Sequence, residues 1–235
     1  MYRGKLIAMD TRIQGYYANA KMLEQEDVFR HFFCELSKER QQKIEEVKAA
    51  GGRRSTLGAW TLVDYGMRQL YGLRQKEVMI AYGAHGKPYL KDRPEIHFNL
   101  SHSGDYVLAA FGPVELGCDI QMIQEAHRND RIAARFFTES EQKALVEGID
   151  FYRIWARKES YIKCTGDGMA CDLRSFDVVG DLAKARETDA IAEARNIHDT
   201  NIYFADYDLP GYAMAVCYEN YMELSVSWQE VNFAR

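Results

Sequence analysis

The sequence predicts an α+β fold, and an internal similarity extends this prediction to two related α+β halves. Patterns typical of helices and of short apolar strands occur in both halves of the chain. The run at 104–111 resembles the run at 210–217, with Tyr106 aligned on Tyr212. Internal duplication and chance likeness between two buried strands explain this similarity equally well. If it is a duplication, a ligand cleft is expected between the halves.

Length and composition define the class of protein. The chain has 235 residues, enough for one large domain or two small ones with a core that needs no disulfide. Its 47% hydrophobic and 28% charged residues are ordinary values, which exclude disorder, collagen and coiled coil as the main state. The net charge of -5 argues against a nucleic-acid binder at the level of the whole chain.

The N-terminal half is predicted to span residues 1–111. Apolar residues with helical spacing predict helix within 22–49, with Ser37 as a cap, and Gly51-Gly52 is expected to interrupt this pattern. The predicted elements are a strand at 5–9, helices within 22–49 and at 57–70, a strand at 77–82, and two strands within 96–111 around a turn at 103–105.

The C-terminal half is predicted to span residues 112–235. An apolar strand is expected first, followed by helices and then by further strands. The predicted elements are a strand at 116–122, helices at 128–136, 139–147 and 150–164, and strands near 174–179, 201–207, 212–218 and 222–228. The Ala-rich and charged segment at 181–199 fits either a helix or a polar hairpin.

Cysteine usage and hydropathy predict a cytoplasmic protein. The five cysteines are odd in number and form no Cys-x-x-Cys pair, which favours reduced, buried thiols over a disulfide framework. The N-terminus lacks the apolar core of a signal peptide. No apolar run reaches the ~20 residues of a membrane helix, so no membrane partner is expected.

Two polar residues in the strand at 116–122 are candidate metal ligands. Residues two apart on a strand share a face, so Asp119 and Gln121 should point the same way while Cys118 and Ile120 enter the core. A carboxylate and an amide oxygen are suitable ligands for Mg²⁺. The alternative is an exposed edge strand with solvated polar residues.

Glu159 and Lys163 lie four residues apart in the helix predicted at 150–164 and therefore share one face. A carboxylate there could complete a metal shell or take a proton from a nucleophile, and a lysine could neutralise phosphate. The alternative is a surface ion pair worth a few tenths of a kcal/mol. Gly166 and Gly168 are expected to end the helix beside the site.

Ser101 and His102 follow an apolar strand, where a hydroxyl and an imidazole can bind a phosphate, and Lys87 adds a cation from a turn. A Ser–His hydrolase is disfavoured because no Gly-x-Ser-x-Gly elbow occurs. A zinc site is disfavoured because the histidines have no recognised ligand spacing and no cysteine joins them.

Taken together, these segments resemble the 4′-phosphopantetheinyl transferases of the surfactin-synthetase-activating type (type II). The resemblance covers residues 83–180, with a weaker continuation to residue 212. The segments that carry it, in order, are Gly86-Lys87-Pro88, Phe98–Ser103 (FNLSHS), Gly117–Gln121 (GCDIQ), Phe136-Phe137, and Trp155–Gly168 (WARKESYIKCTGDG). The family resemblance implies a pseudo-dimer of two α+β halves with coenzyme A in the cleft between them.

The resemblance also implies an activity: Mg²⁺-dependent transfer of 4′-phosphopantetheine from coenzyme A to a serine of an apo carrier protein. By the same likeness, Asp119, Gln121 and Glu159 are expected to hold Mg²⁺. Glu159 would also activate the serine, and Lys163 would stabilise the leaving group. Many relatives carry Glu at position 121, so Gln121 is expected to weaken metal binding.

The coenzyme is expected to bind a set of mostly basic and polar residues. These are Lys87, Ser101, His102, Lys43, Arg40 and Lys158. A monomer is expected, because the second half would supply what a partner subunit otherwise provides. Two alternatives remain. One is a non-catalytic coenzyme A-binding or carrier-docking module with a decayed site, and the other, a nucleic-acid binder built on Arg53-Arg54, is disfavoured by the acidic balance.

Overall fold

A computed structural model describes most of the chain. The described residues are 12–124, 129–179, 192–193, 202–219 and 224–234. The strand predicted at 5–9 lies outside them, as does most of the segment 181–199. Among the helices of these ranges, none has both the length and the apolar composition that a bilayer crossing requires.

Helices and strands occur in separate runs along the described chain, as the α+β prediction requires. The first part of the chain contains β1 (Arg12–Asn19), α1 (Glu26–Glu35), α2 (Lys38–Glu45), α3 (Ala50–Tyr71), β2 (Ile80–Tyr82), β3 (Pro88–Leu90), β4 (His97–Ser103) and β5 (Tyr106–Gly112). The second part contains β6 (Leu116–Met122), α4 (Asn129–Phe136), α5 (Glu139–Val146), α6 (Phe151–Thr165), β7 (Ala192–Glu193), β8 (Ile202–Leu209), β9 (Tyr212–Glu219) and β10 (Ser225–Glu230).

Two four-stranded sheets form the framework of the described residues, together with a β2–β3 hairpin. The first sheet has the order β10-β1-β5-β4, and the second has the order β6-β9-β8-β7. Neighbouring strands are antiparallel except β1 and β10, which run parallel with Ile13 opposite Val226. The last strand therefore returns from the C-terminal part of the chain to complete the first sheet.

Each sheet carries one long buried helix, and the sheets also share a core. Helix α3 packs on the first sheet so closely that a Cβ on Gly66 would lie 2.2 Å from the Phe111 ring. Helix α6 packs on the second sheet through alanines that include Ala156 and Ala215. Leu108 and Val216, from β5 and β9, belong to one buried cluster, so this core joins the two halves.

The similarity around Tyr106 and Tyr212 corresponds to equivalent strands in the two halves. β5 and β9 are both interior strands with almost continuous burial. The two tyrosine rings meet edge to face, with centroids 4.9 Å apart. The prediction of two similar α+β halves is confirmed, whereas the boundary between residues 111 and 112 stays a prediction.

The structure differs from the predicted elements in three places. First, the strand β1 was not predicted. Gly51-Gly52 lies inside α3, where the first-turn N–H groups need no helical partner and glycine costs little. No strand forms at 174–179; a 3₁₀ turn at Leu173–Ser175 is followed by backbone whose polar groups bond side chains, as when Val178 N–H donates to Glu141.

Candidate active site

Asp119 is the centre of the site and is only 2% exposed, although β6 is an edge strand. Its Oδ1 accepts hydrogen bonds from Lys163 Nζ at 2.6 Å and from Ser101 Oγ at 2.8 Å. Its Oδ2 accepts one from Gln121 Nε2 at 2.7 Å. The alternative of a solvated edge strand is therefore wrong, because other elements cover this carboxylate.

Strand alternation explains how β4 meets β6 across the gap between the sheets. Alternate residues of β4 point toward β6, which has no backbone neighbour on that side among the described strands. Asn99 Oδ1 accepts the Cys118 N–H at 3.1 Å, and Ser103 Oγ accepts the Met122 N–H at 3.0 Å. Ser101, midway between them, reaches the side chain of Asp119.

Helix α6 approaches β6 closely enough to place its polar face at Asp119. The helix is capped at its start by Asp150 and ends at Gly166 in the left-handed conformation, with φ 79°. A Cβ on Gly117 would lie 2.1 Å from the Ser160 carbonyl oxygen, so only glycine allows this contact. The predicted end of the helix and the shared face of Glu159 and Lys163 are both observed.

Glu159 is the second acid of the site. Burial raises the pKa of Glu159, and the Asp119 carboxylate raises it further, while Lys163 opposes the shift. Among the described residues, the Glu159 carboxylate has no hydrogen-bond or salt-bridge partner. A half-buried, unpartnered carboxylate beside a second one is suited to a divalent cation.

The candidate metal set contains two carboxylates and one amide. No cluster of three or more His, Cys, Asp or Glu side chains suited to a metal occurs within the described ranges. Asp119 and Glu159, with the amide oxygen of Gln121, still form the oxygen-rich, partly filled set that Mg²⁺ accepts, because this ion keeps waters and substrate oxygens. The residues therefore fit Mg²⁺.

The charge states of Lys163 and His102 differ for physical reasons. Burial is the largest effect and opposes the charge on Lys163, but Asp119, together with Cys118 and Glu159, outweighs burial and raises the pKa of Lys163. Burial, followed by the Lys163 charge, lowers the pKa of His102 despite the opposing effect of Asp119. At neutral pH the site therefore presents a charged amine beside a neutral imidazole.

Two adjoining cavities form the cleft above these residues. One, of about 460 Å³, brings together Arg40, Lys87, Asn99, Glu159 and Lys163. The other cavity, of about 410 Å³, surrounds Asp119. Its lining residues are Thr56, Ala59, Trp60, Leu100, Ser101, His102, Asp119 and Lys163. Lys163 and Trp60 line both cavities, so we treat them as one cleft.

Arg40 enters the cleft on an aromatic support that the sequence did not predict. Its guanidinium carbon lies 3.5 Å from the Trp60 ring centroid, and its Nη2 contacts the Tyr82 hydroxyl. Among the described residues, the buried Arg40 Nε has no partner. Lys43 lines neither cavity. Its amine lies 4.1 Å from the Tyr82 ring centroid and forms a salt bridge of 3.0 Å with Glu39.

Lys87 lines the cleft, but its amine bonds Glu115 and Cys164, which line neither cavity of the cleft. Its amine contacts the Glu115 carboxylate and donates to the Cys164 carbonyl at 2.7 Å. Glu115 also lies 3.1 Å from His97 Nδ1. The contacts with Glu115 and Cys164 use two of the three amine protons of Lys87, so one proton remains for a phosphate unless a contact is released.

Lys158 does not lie in the cleft, and the prediction that it binds the coenzyme is wrong. Its side chain is 0% exposed and forms a salt bridge of 2.8 Å with Glu141, which is also 0% exposed. Its amine donates to the carbonyls of Leu173 at 2.6 Å and Phe176 at 3.0 Å. All of its donors are used inside the protein, so Lys158 holds the chain after α6 against the helix.

The sequence did not predict some residues of the cleft, because their local sequence patterns are those of residues in a hydrophobic core. Trp60 lies in an apolar helix and Tyr82 in a short strand, and both read as structural residues. Asn99 belongs to a recognised motif, but no role was predicted for it. Their positions depend on contacts between distant elements, which local patterns do not describe.

Comparison with known proteins agrees with this geometry. A family model described as the N-terminal part of 4′-phosphopantetheinyl transferases matches residues 24–114. The model of the 4′-phosphopantetheinyl transferase superfamily matches residues 115–217. The two matches meet in the connection between β5 and β6, and the second contains Asp119, Glu159 and Lys163.

Curated relatives extend the likeness over most of the chain. The 4′-phosphopantetheinyl transferases ffp of Bacillus subtilis and Sfp of Bacillus subtilis strain 168 are each 31% identical over 213 residues, covering 88% of this chain and 91% of theirs. Psf-1 of Bacillus pumilus is 31% identical over 189 residues, covering 77% of this chain and 78% of its own. The chain therefore belongs to the 4′-phosphopantetheinyl transferase family, of the Sfp type.

Proposed function

We propose that the protein transfers the 4′-phosphopantetheine group of coenzyme A to a serine hydroxyl of an apo carrier protein. The observation that carries this proposal is the bonded group of Asp119, Lys163 and Ser101, which lies beside Glu159, a carboxylate with no bonded partner in the described part of the chain. These groups line a cleft whose other lining residues include the cations Arg40 and Lys87, which suit a pyrophosphate. Membership of the family supports the same reaction.

The reaction is a phosphoryl-type transfer, so positioning and charge neutralisation supply most of the catalysis. The serine oxygen forms a bond to the β-phosphorus, and the bond from that phosphorus to adenosine 3′,5′-bisphosphate breaks. Lys163 keeps its proton, because Asp119 raises the pKa of its amine, and it donates to phosphate oxygens as negative charge develops.

Glu159 is proposed to take the proton of the attacking serine. Its carboxylate has no hydrogen-bond partner among the described residues, so an oxygen is available to accept this proton, directly or through a water. Asp119, Glu159 and Gln121 would hold Mg²⁺, which would neutralise the pyrophosphate when bound. Gln121 donates through its nitrogen to Asp119, so its oxygen is the atom available for such a role.

The proposed coenzyme contacts follow the cleft. Neutral His102 and Ser101 would bind the adenosine phosphates, with His102 most directly at the 3′-phosphate. Lys87 and Arg40 would supply positive charge to the lining of the cleft. Lys43, which contacts the Tyr82 ring, would add to this positive charge. Lys158 is left out because it is buried elsewhere.

Several features of the partners belong to the same proposal. We propose a cytoplasmic monomer divided near residues 111 and 112, without nucleic-acid or membrane partners; the five free thiols support this location. Met169 is 66% exposed and lines the cleft beside Glu159, so an apolar contact there is proposed to dock the carrier.

The test is label transfer. The protein is incubated with coenzyme A, Mg²⁺ and a panel of apo acyl, peptidyl and aryl carrier proteins, and each carrier is then weighed by mass spectrometry. We expect a gain of one phosphopantetheine group that is lost with chelator and with Glu159→Gln. Coenzyme A binding without any carrier mass change, across the panel, would instead identify a non-catalytic module.

A further inference from the structure

Asn99, in the middle of β4, is a polar residue whose orientation is determined by its neighbour. It is 3% exposed, and its side-chain oxygen accepts the backbone N–H of Cys118 at 3.1 Å. A backbone N–H can only donate, so the amide atom that faces it must be the oxygen. The NH₂ group of Asn99 therefore takes no part in this bond to β6.

The NH₂ group of Asn99 is not used inside the described part of the protein. Among the described residues it has no hydrogen-bond partner, and Asn99 lines the 460 Å³ cavity with Glu159 and Lys163. This nitrogen is not fully enclosed, so it can donate to a ligand oxygen in the cavity.

The neighbouring residues on the same face of β4 do not share this property. Ser101 is engaged with Asp119 and Lys163, and Ser103 accepts the Met122 N–H at 3.0 Å. Ser103 lines neither cavity of the cleft. Asn99 thus combines a structural bond to β6 with a free donor toward the ligand.

We infer that Asn99 is a substrate-binding residue whose NH₂ group donates to an oxygen of the phosphopantetheine half of coenzyme A. This inference rests on the proposed function, which places the reacting phosphorus between Glu159 and Lys163. Asn99 shares the cavity with both groups, while His102, the candidate for the 3′-phosphate, lines the adjoining one. The donor is therefore next to the transferred group and away from the 3′-phosphate.

The test compares two ligands in two variants of Asn99. Asn99→Asp keeps an acceptor for the Cys118 N–H and replaces the donor with an oxygen, and Asn99→Ala removes the amide without adding charge. We expect Kd for coenzyme A to rise about tenfold or more in both, since a lost hydrogen bond to a charged group has this size. Kd for adenosine 3′,5′-bisphosphate, which lacks the transferred half, should stay within about twofold.

Ser103→Ala is the matched control, because it removes a bond from β4 to β6 without a donor in the cavity. It should alter thermal stability but not the ratio of the two dissociation constants. An unchanged ratio in both Asn99 variants, or the same change in Ser103→Ala, would overturn the inference. Wild-type coenzyme A binding is measured first, and its absence would overturn the proposed function and this inference together.

Discussion

At the scale of single residues, the site depends on how one carboxylate is surrounded. Asp119 receives hydrogen bonds from Lys163 of α6, Ser101 of β4 and Gln121 of its own strand. The Lys163 amine lies 2.6 Å from this carboxylate and offsets its negative charge. Glu159 has no such partner among the described residues and carries a raised pKa. A cation bound between Asp119 and Glu159 would give the Glu159 carboxylate a partner of opposite charge, which no described residue provides.

Gln121→Glu tests the third proposed ligand. A carboxylate at this position adds negative charge to the set, so the Mg²⁺ concentration that gives half-maximal transfer should fall by about tenfold. The measurement is a Mg²⁺ titration of carrier labelling. Gln121→Met, which offers no oxygen, is the control and should raise that concentration. If Gln121→Glu leaves the apparent affinity unchanged, position 121 is not a ligand.

At the scale of elements, the proposed catalysis depends on the contact between α6 and β6. Helical spacing places Glu159 and Lys163 on one face of α6, but the helix must lie almost on the backbone of β6 for them to meet Asp119. Gly117 makes this possible, because a side chain there would overlap the backbone of Ser160 and Cys164. The buried Lys158–Glu141 pair then attaches α6 to α5.

Gly117→Ala should therefore separate the two elements. The added Cβ would lie 2.1 Å from the Ser160 oxygen and 2.3 Å from the Cys164 nitrogen, so the helix must move. We expect a loss of about 1–3 kcal/mol of unfolding free energy, together with a fall in kcat, measured by denaturant unfolding and carrier labelling.

Gly83→Ala is the matched control for this change. Its Cβ would meet only the Lys87 carbonyl oxygen, at an ordinary 3.7 Å. Stability and kcat should stay near the wild-type values. Equal effects of both substitutions on stability and kcat would show that the close approach of α6 to Gly117 determines neither property.

At the scale of the whole molecule, the two halves are joined by a shared core and by a polar cluster around Glu115. The cluster links Lys87 and His97, which precede β5 in the chain, to Glu115 and the Cys164 carbonyl, which follow it. The contact with His97, followed by that with Lys87, lowers the pKa of Glu115 to about 2, against the effect of burial. The cluster therefore contributes to global stability.

This pKa shift predicts how acid weakens the protein. The unfolded chain binds a proton at Glu115 near the ordinary glutamate pKa of 4.5, while the folded state binds it only near 2, so stability falls as pH drops through that window. Glu115→Gln should lower stability above pH 4.5 and should show less of this acid-dependent loss. The measurement is urea unfolding at pH values from about 6 to about 2.

The control for the acid series is Glu147→Gln, since Glu147 makes only an exposed pair with Lys143 at 3.7 Å. Its stability should follow the wild-type curve throughout. Parallel curves for wild type and Glu115→Gln between pH 4.5 and 2 would contradict the proposed contribution of the cluster.

The sequence by itself determined the local arrangement of the chemistry. A period of two placed Asp119 and Gln121 on one face of β6, and a spacing of four placed Glu159 and Lys163 on one face of α6. Strand β6 and the three C-terminal helices were predicted to within one or two residues, because their periodicity and caps lie within a few residues of each other in the chain.

Only the tertiary structure decided which polar groups face the cleft and which are enclosed. Lys158 and Lys163 read alike in the sequence, yet one pairs with a buried glutamate and the other meets Asp119. The return of β10 to β1 and the bond of the Asn99 side chain to β6 are likewise long-range results. The physical reason is that burial and pairing depend on what distant elements cover a residue, which a local pattern does not contain.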